Sequence, residues 1–312
     1  MTQEALVVGI DVSMATLDVV ILPTGEVFSL PNAADGWRRL VRRLGGKRLE
    51  VVAFEATGGY ERGLLKALAL AGLPASRVNP ARVRAFAMAS GTLAKNDKLD
   101  ALVIARFAQA LPPRLTLSDP VTDALAELVT ARRQIVQDLT RTANQADHAV
   151  NVILKRSFRR RLRGLEADLK LVDMEIAKAM AADQGLASRS EILRSAPGVG
   201  PVASATFLAL LPELGKLENR QIAGLVGVAP YDHDSGKMRG QRSIWGGRKP
   251  VRDILYMAAL GAIRSKQTIF KACYDRLIAN GKKPKVAIVA IMRKLITTLN
   301  AMLRNNTQWS PT

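Results

Sequence analysis

The first part of the chain reads as strands. "ALVVGIDVSMATLDVVILPTGEVFSLPN" has apolar, β-branched runs at 6–10 and 17–22, a Pro-Thr-Gly-Glu turn, and a third short run at 27–30. This spacing predicts an antiparallel meander. The amphipathic "AADGWRRLVRRLGG" predicts a helix, "LEVVAFE" at 49–55 a strand, residues 60–72 a helix after a Gly-Gly turn, and "ASRVN" another strand. Strands that give way to alternating strands and helices predict an α/β unit, a mixed sheet with flanking helices.

The pattern changes after the proline-bearing "LPPRLTLSDPV" around 111–121. Leu125, Leu128, Ile135, Leu139, Ala146 and Ile153 fall mostly on heptad positions, and Leu162, Leu165, Leu169, Val172 and Ile176 follow a 3-4-3-4 spacing. Two long helices are predicted, either a coiled-coil arm or a helical layer packed on the main body. From 191 onward the pattern is mainly helical, so the expected division is 1–117, 118–190 and 191–312. In "SAPGVGPVASATFLALL", Pro197, Gly198 and Gly200 predict a tight turn into a helix. That turn is either a helix-hairpin-helix element holding a phosphate on its amides or a purely structural hairpin.

Charge adds a partner to this outline. The chain of 312 residues has 46 basic and 27 acidic side chains, a formal +19. Residues 191–312 hold 19 of the basic and 7 of the acidic ones, so the C-terminal third carries most of the excess. A polyanion, nucleic acid by default, is the expected partner. "KRSFRRRLR" at 155–163, with Arg159, Arg160, Arg161 and Arg163, lies between the two predicted long helices and is either a solvated face or a phosphate contact. Cys273 is the only cysteine and His148 and His233 the only histidines, which excludes a disulfide framework and disfavours a Cys/His zinc site. The N-terminus lacks a secretory pattern, and no uncharged apolar run reaches the ~18 residues of a membrane span. The cytoplasm is therefore the expected compartment, nucleoid-associated when DNA is bound, with no membrane partner.

Candidate chemistry sits at two places. Asp11 ends the first strand, beside a second strand carrying Asp18, and Glu55 ends "VVAFE" just before "ATGGY". Asp97 and Asp100, three apart at the start of a helical run in "AKNDKLDALVIARFA", either favour the helix N-terminus or share a cation. Clustered carboxylates repel unless cations neutralise them, and hard magnesium ions suit oxygen ligands at a phosphodiester. The second place is "GVAPYDHDSGKMRGQRSIWGGRKPVRDILYMAAL", where Ser235 precedes a glycine amid Lys237, Arg239, Arg242, Arg248 and Arg252. Cations there would stabilise the charge gained when a serine attacks phosphate, although a Ser-Gly pair is also an ordinary turn. Ser243 is a competing hydroxyl, and Tyr60 is either core packing or a nucleic-acid contact.

The order of "GIDVS", "FEATGGY", "KNDKLDA", a heptad stretch, "PGVGPVASATFLA", "GVAPYDHDSGKMRGQRSIWGGR" and "GKKPKVAIVAIMRKLITTLNAML" resembles the DEDD insertion-sequence transposases, recombinases guided by a bridge RNA and related to the Piv DNA invertases. The resemblance spans nearly the whole chain, with Asn96 where threonine is more usual. It implies a RuvC/RNase H-like catalytic domain whose DEDD carboxylates are Asp11, Glu55, Asp97 and Asp100, holding magnesium, with manganese as a substitute. It also implies a mainly helical transposase domain with Ser235 as nucleophile. Expected partners are donor and target double-stranded DNA, a structured guide RNA and further copies of the chain, as dimer or tetramer with a composite site. Strand exchange would pass through a Holliday-type junction. The alternative is a magnesium-dependent junction endonuclease that uses water.

Overall fold

In the computed structural model the described residues are 5–56, 58–91, 97–116, 119–232, 240, 242–265 and 268–310, without the side chains of 97–99. The chain forms two compact units, Met1–Pro120 and Val121–Thr312.

The first unit holds β1 (Leu6–Val12), β2 (Thr16–Leu22), β3 (Glu26–Pro31), α1 (Ala34–Leu44), β4 (Leu49–Glu55), α2 (Arg62–Leu70), β5 (Ala75–Val78), α3 (Pro80–Ala89) and α4 (Asp97–Ala110). The sheet order is β3-β2-β1-β4-β5. β1, β2 and β3 pair antiparallel, whereas β4 and β5 run parallel to β1. This is the mixed sheet expected from the sequence, its meander at one side and its parallel strands at the other. The apolar runs of β1 and β4 are continuous rather than alternating because both faces are covered. Val8, Ile10, Val12, Val52 and Phe54 pack under Leu40 and Leu44 of α1 and Leu64 and Leu68 of α2. Val7, Val51, Ala53 and Val78 pack on the other face with Val103, Ile104 and Phe107 of α4. Residues 114–116 run beside the edge strand β5: Ser76 Oγ donates to the Arg114 carbonyl at 2.8 Å, and Thr116 Oγ1 accepts from the Arg77 amide at 2.8 Å.

The second unit contains α5 (Pro120–Asp147), α6 (Val152–Ala182), α7 (Gln184–Ser195), α8 (Pro201–Leu210), α9 (Asn219–Val226), a ribbon of β6 (Pro230–Tyr231) and β7 (Ser243–Ile244), α10 (Lys249–Arg264), α11 (Ile269–Ala279) and α12 (Pro284–Asn305). The three-way division expected from the sequence becomes two. Leu125 and Val129 of α5 and Ile176 and Met180 of α6 enter the same core as Phe207, Leu255 and Leu295, so the bases of the long helices belong to the helical unit. Arg132 Nε meets Asp173 Oδ1 at 2.6 Å across 41 residues, which fixes α5 and α6 as an antiparallel hairpin. Leu162, Leu165 and Leu169 form a half-buried stripe along it.

Local signals set the helix starts. Asn151 and Asp183 accept from the amides of Ile153 and Leu186, each at 2.8 Å, and Glu218 with Gln221 forms a capping box on α9. α12 is long and apolar enough to cross a membrane, yet Ile291, Met292, Leu295, Ile296 and Leu299 on it are buried in this core. Its buried Asn300 accepts from the Gly215 amide at 2.8 Å and donates to the Leu217 carbonyl at 2.8 Å, tying the 215–217 loop to the helix.

Candidate active site

The acids of the first unit converge through strand register. β1 and β4 are parallel neighbours with Gly9 beside Ala53 and Ile10 beside Phe54, so one residue on, Asp11 stands beside Glu55. Neighbouring strands lie about 4.8 Å apart. Asp11 shares its face with Val7 and Gly9, and Glu55 shares its face with Val51 and Ala53, so both carboxylates project on the α4 side. Asp18 lies opposite Asp11 in the β1–β2 pair and accepts the Ser29 hydroxyl on β3.

Gly9 explains how α4 comes so close. A Cβ there would stand 2.3 Å from the Ala101 carbonyl and 2.4 Å from the Ala105 amide, so only glycine lets helix and strand touch. Val7 shares its cluster with Ile104 and Phe107, whereas Gly9 meets Ala101 and Ala105; the C-terminal end of β1 therefore points toward the N-terminal end of α4. Asp97 and Asp100 are at that end, and Asp100 is half-buried. Among the described residues no three His, Cys, Asp or Glu side chains form a group that could hold a metal ion, and the Asp97 side chain lies outside that set. The donors are all carboxylate oxygens, the chemistry of a hard cation.

A polar clasp joins the two acid-bearing loops. Asn32 Nδ2 donates to the Ser13 carbonyl at 2.7 Å and to the Tyr60 carbonyl at 3.1 Å, while its Oδ1 accepts Trp37 Nε1–H at 2.8 Å. Ser13 follows Asp11 by two residues and Tyr60 follows Glu55 by five, so one amide side chain spans both loops. Trp37 is seated over Gly63, where a Cβ would be 2.0 Å from the indole. Buried Glu61 accepts from the Gly59 amide at 3.0 Å and pairs with Arg77 at 3.4 Å, holding the turn in which Gly58 and Gly59 have φ of 62° and 102°. The sequence reading missed Asn32 and Glu61; their signal was only a turn asparagine and one more acid beside a Gly-Gly pair. Tyr60 is 48% exposed, which removes the core-packing reading.

In the second unit Ser235, Lys237 and Arg239 lie outside the described residues. Their segment is bracketed by β6 and β7, a ribbon not foreseen from the sequence. Arg242 is exposed and pairs with Asp232 at 2.6 Å. Arg248 does not stand free for a phosphate: its Nη1 and Nη2 each reach Glu213 at 2.6 Å, and Nη1 also donates to the Leu210 carbonyl at 3.0 Å, closing the α8–α10 joint. Gly198 has a packing role. At φ 80° its Cβ would fall 2.1 Å from the Ala258 carbonyl, so the glycine lets the turn touch α10. Gly200, the N-cap of α8, is exposed, with open space around it. Arg159, Arg160, Arg161 and Arg163 on α6 are exposed, with no ion pair among the described residues.

Comparison with known proteins agrees with both halves of this description. Residues 8–155 match a DEDD transposase domain, and residues 190–275 match the transposase domain of the IS116/IS110/IS902 family. The pilin gene-inverting protein of Moraxella lacunata is 27% identical over 316 residues, covering 96% of each chain. An uncharacterized 42 kDa protein of insertion element IS900 from Mycobacterium paratuberculosis is 32% identical over 127 residues, 39% of this chain and 31% of that one. RuvC of T. thermophilus, solved in complex with a Holliday junction substrate, covers 36% of this chain and 100% of its own at a TM-score of 0.29 and 18% identity, a level at which the sheet order itself, not the likeness, supports the fold. With two transposase domain matches in order along the chain and a pilin gene-inverting relative over nearly its whole length, the chain is an enzyme that acts on DNA by cleavage and rejoining.

Proposed function

We propose that the protein is an RNA-guided recombinase that mobilises an insertion element, with the carboxylates of the first unit and Ser235 of the second as its reactive groups. The observation that carries this reading is the β1–β4 register, which sets Asp11 beside Glu55 on the face that α4 covers. Asp11, Glu55, Asp97 and Asp100 would hold magnesium, or manganese in its place. Bound there, the ion would offset the charge that develops at a phosphodiester.

The serine step balances without another reagent. Ser235 Oγ loses its proton and bonds to phosphorus, the phosphorus–oxygen bond to the departing strand end breaks, and that end takes up a proton as a hydroxyl. Attack by a strand end on the phosphoserine reverses these changes and rejoins DNA. A relative named for inverting a gene supports rejoining over simple hydrolysis, because inversion restores every bond it breaks. Recognition would be shared among donor and target duplexes, a structured guide RNA that supplies the sequence by pairing, and further copies of the chain, with strand exchange through a Holliday-type junction in the cytoplasm. The free arginines at 159–163 suit the phosphates of those partners.

The test is a denaturing-gel assay for protein–DNA adducts in cells carrying the gene with its native flanks. Adduct in the wild type and none in Ser235→Ala or Asp11→Ala supports the reading. Magnesium-dependent cleavage that persists in Ser235→Ala without an adduct would replace it with the water-using endonuclease.

A further inference from the structure

Trp245 is the most exposed of the three tryptophans, at 76%, and Tyr231 is 46% exposed. Trp37 is held by Asn32, and Trp309 stacks on Phe270 at 5.3 Å between ring centres. Among the described residues, neither Trp245 nor Tyr231 makes a ring contact. Leaving large aromatic rings in water forgoes much burial energy, and no folding role recovers it here.

The backbone under these rings is fixed. Tyr231 lies opposite Ser243 in the β6–β7 ribbon, and Trp245 follows two residues later, so the alternation of the strand, carried one residue past its end, assigns both to one face. Beyond Trp245 the chain is locked by two interlocking glycine turns. A Cβ on Gly247 would lie 2.3 Å from the Gly227 amide, and one on Gly227 would lie 2.2 Å from the Gly246 carbonyl. Arg252 donates to the Gly246 carbonyl, and the Arg248 amide donates to the Leu225 carbonyl at 2.9 Å. On the other side, Val228, three residues before Tyr231, is fully buried in the core. Two aromatic rings are thus presented to solvent from a rigid mount.

We propose that Trp245, assisted by Tyr231, is a stacking platform for an unpaired base of the DNA that this enzyme cleaves and rejoins. A base inside a duplex has both faces covered, but opening and exchanging strands uncovers them, and any base can stack on an aromatic ring beside cationic side chains. The neighbours include such side chains: Arg242, paired with Asp232, and Lys249, paired with Asp253, are exposed within four residues of Trp245. A protein partner would call for contiguous apolar surface, whereas the ring is bordered by glycines and charge.

The test uses the full-length protein in EDTA, so that binding is read independently of whether Ser235 or the carboxylates cut. A labelled single-stranded DNA, a matched duplex and a single-stranded RNA are titrated by anisotropy against wild type, Trp245→Phe and Trp245→Leu. Intrinsic fluorescence of the wild type is followed in parallel. Single-stranded DNA should quench the wild-type emission. Trp245→Phe should bind it within about threefold of wild type, and Trp245→Leu should bind it at least about fivefold more weakly, with duplex affinity nearly unchanged. Equal single-strand affinity in Trp245→Leu, or unquenched emission, overturns the proposal, because leucine keeps the apolar contact but not the stacking face. Quenching by RNA alone overturns the choice of DNA. Emission already shielded from acrylamide without nucleic acid, together with a larger sedimenting species that Trp245→Leu abolishes, overturns it in favour of a second copy of the chain.

Discussion

Gly9 and Asn32 do at the residue scale what the carboxylates cannot do for themselves. An alanine at position 9 would drive its methyl into the α4 backbone, and overpacking of this kind costs about 1–3 kcal/mol. Gly9→Ala should lower the unfolding free energy by that amount in urea titration and also depress DNA cleavage, because helix and strand carry the acids on opposite sides of the contact. Asn32→Ala removes two donors and one acceptor from the Ser13–Tyr60–Trp37 clasp. It should cost about 1–2 kcal/mol, and cleavage should fall by more than the loss of folded protein explains, as a circular-dichroism melt beside a cleavage assay would reveal. Asp11→Asn and Glu55→Gln keep shape and should abolish cleavage with the melting curve nearly unchanged.

Among the elements, the joint between α8 and α10 carries a bidentate pair. Arg248 and Glu213 are each about one-third exposed, at 32% and 33%, so solvent takes part of the attraction, and the geometry rather than the charge count makes the pair worth testing. Glu213→Gln and Arg248→Met should each destabilise the protein by about 1 kcal/mol, and the double variant should lose less than the sum. Additive losses in the double-mutant cycle would mean that the two side chains are not coupled. The α5–α6 hairpin offers a separate measurement. Reversing Arg159 and Arg160 to glutamate should weaken nucleic-acid binding and make its logarithmic salt slope shallower by about 0.9 for each phosphate contact removed. An unchanged slope would assign them to a solvated face.

Across the whole molecule, the first unit has its own closed sheet cores and the second its own helical one. Full-length protein should therefore unfold in two resolvable transitions, and a fragment of residues 1–120 should give the earlier or the later of them alone. A single cooperative transition, with an unfolded fragment, would show that the units depend on each other. The N-terminal sheet was readable because each strand is a compact apolar run between strong turn signals, and "LEVVAFE" begins and ends where β4 does. The long helices were readable from their heptads. Their assignment to a separate domain failed because the apolar residues at the base of a helix look the same whether they face a partner helix or a shared core.

What the amino-acid order determined by itself is whatever depends on near neighbours: the strands of the first unit and the long helices, the break near 111–121, the excess of positive charge in the last third, and which acids lie at the ends of their strands. The tertiary structure decided everything that depends on who lies opposite whom. It set Asp11 beside Glu55, tied their loops through Asn32, packed Gly198 against α10 and paired Arg248 with Glu213. It also left Trp245 in water. The physical reason is range: turn chemistry and hydrophobic period act over a few residues, whereas a side chain's role is set by groups brought to it from far along the chain, as Glu213 is brought to Arg248 and Trp37 to Gly63.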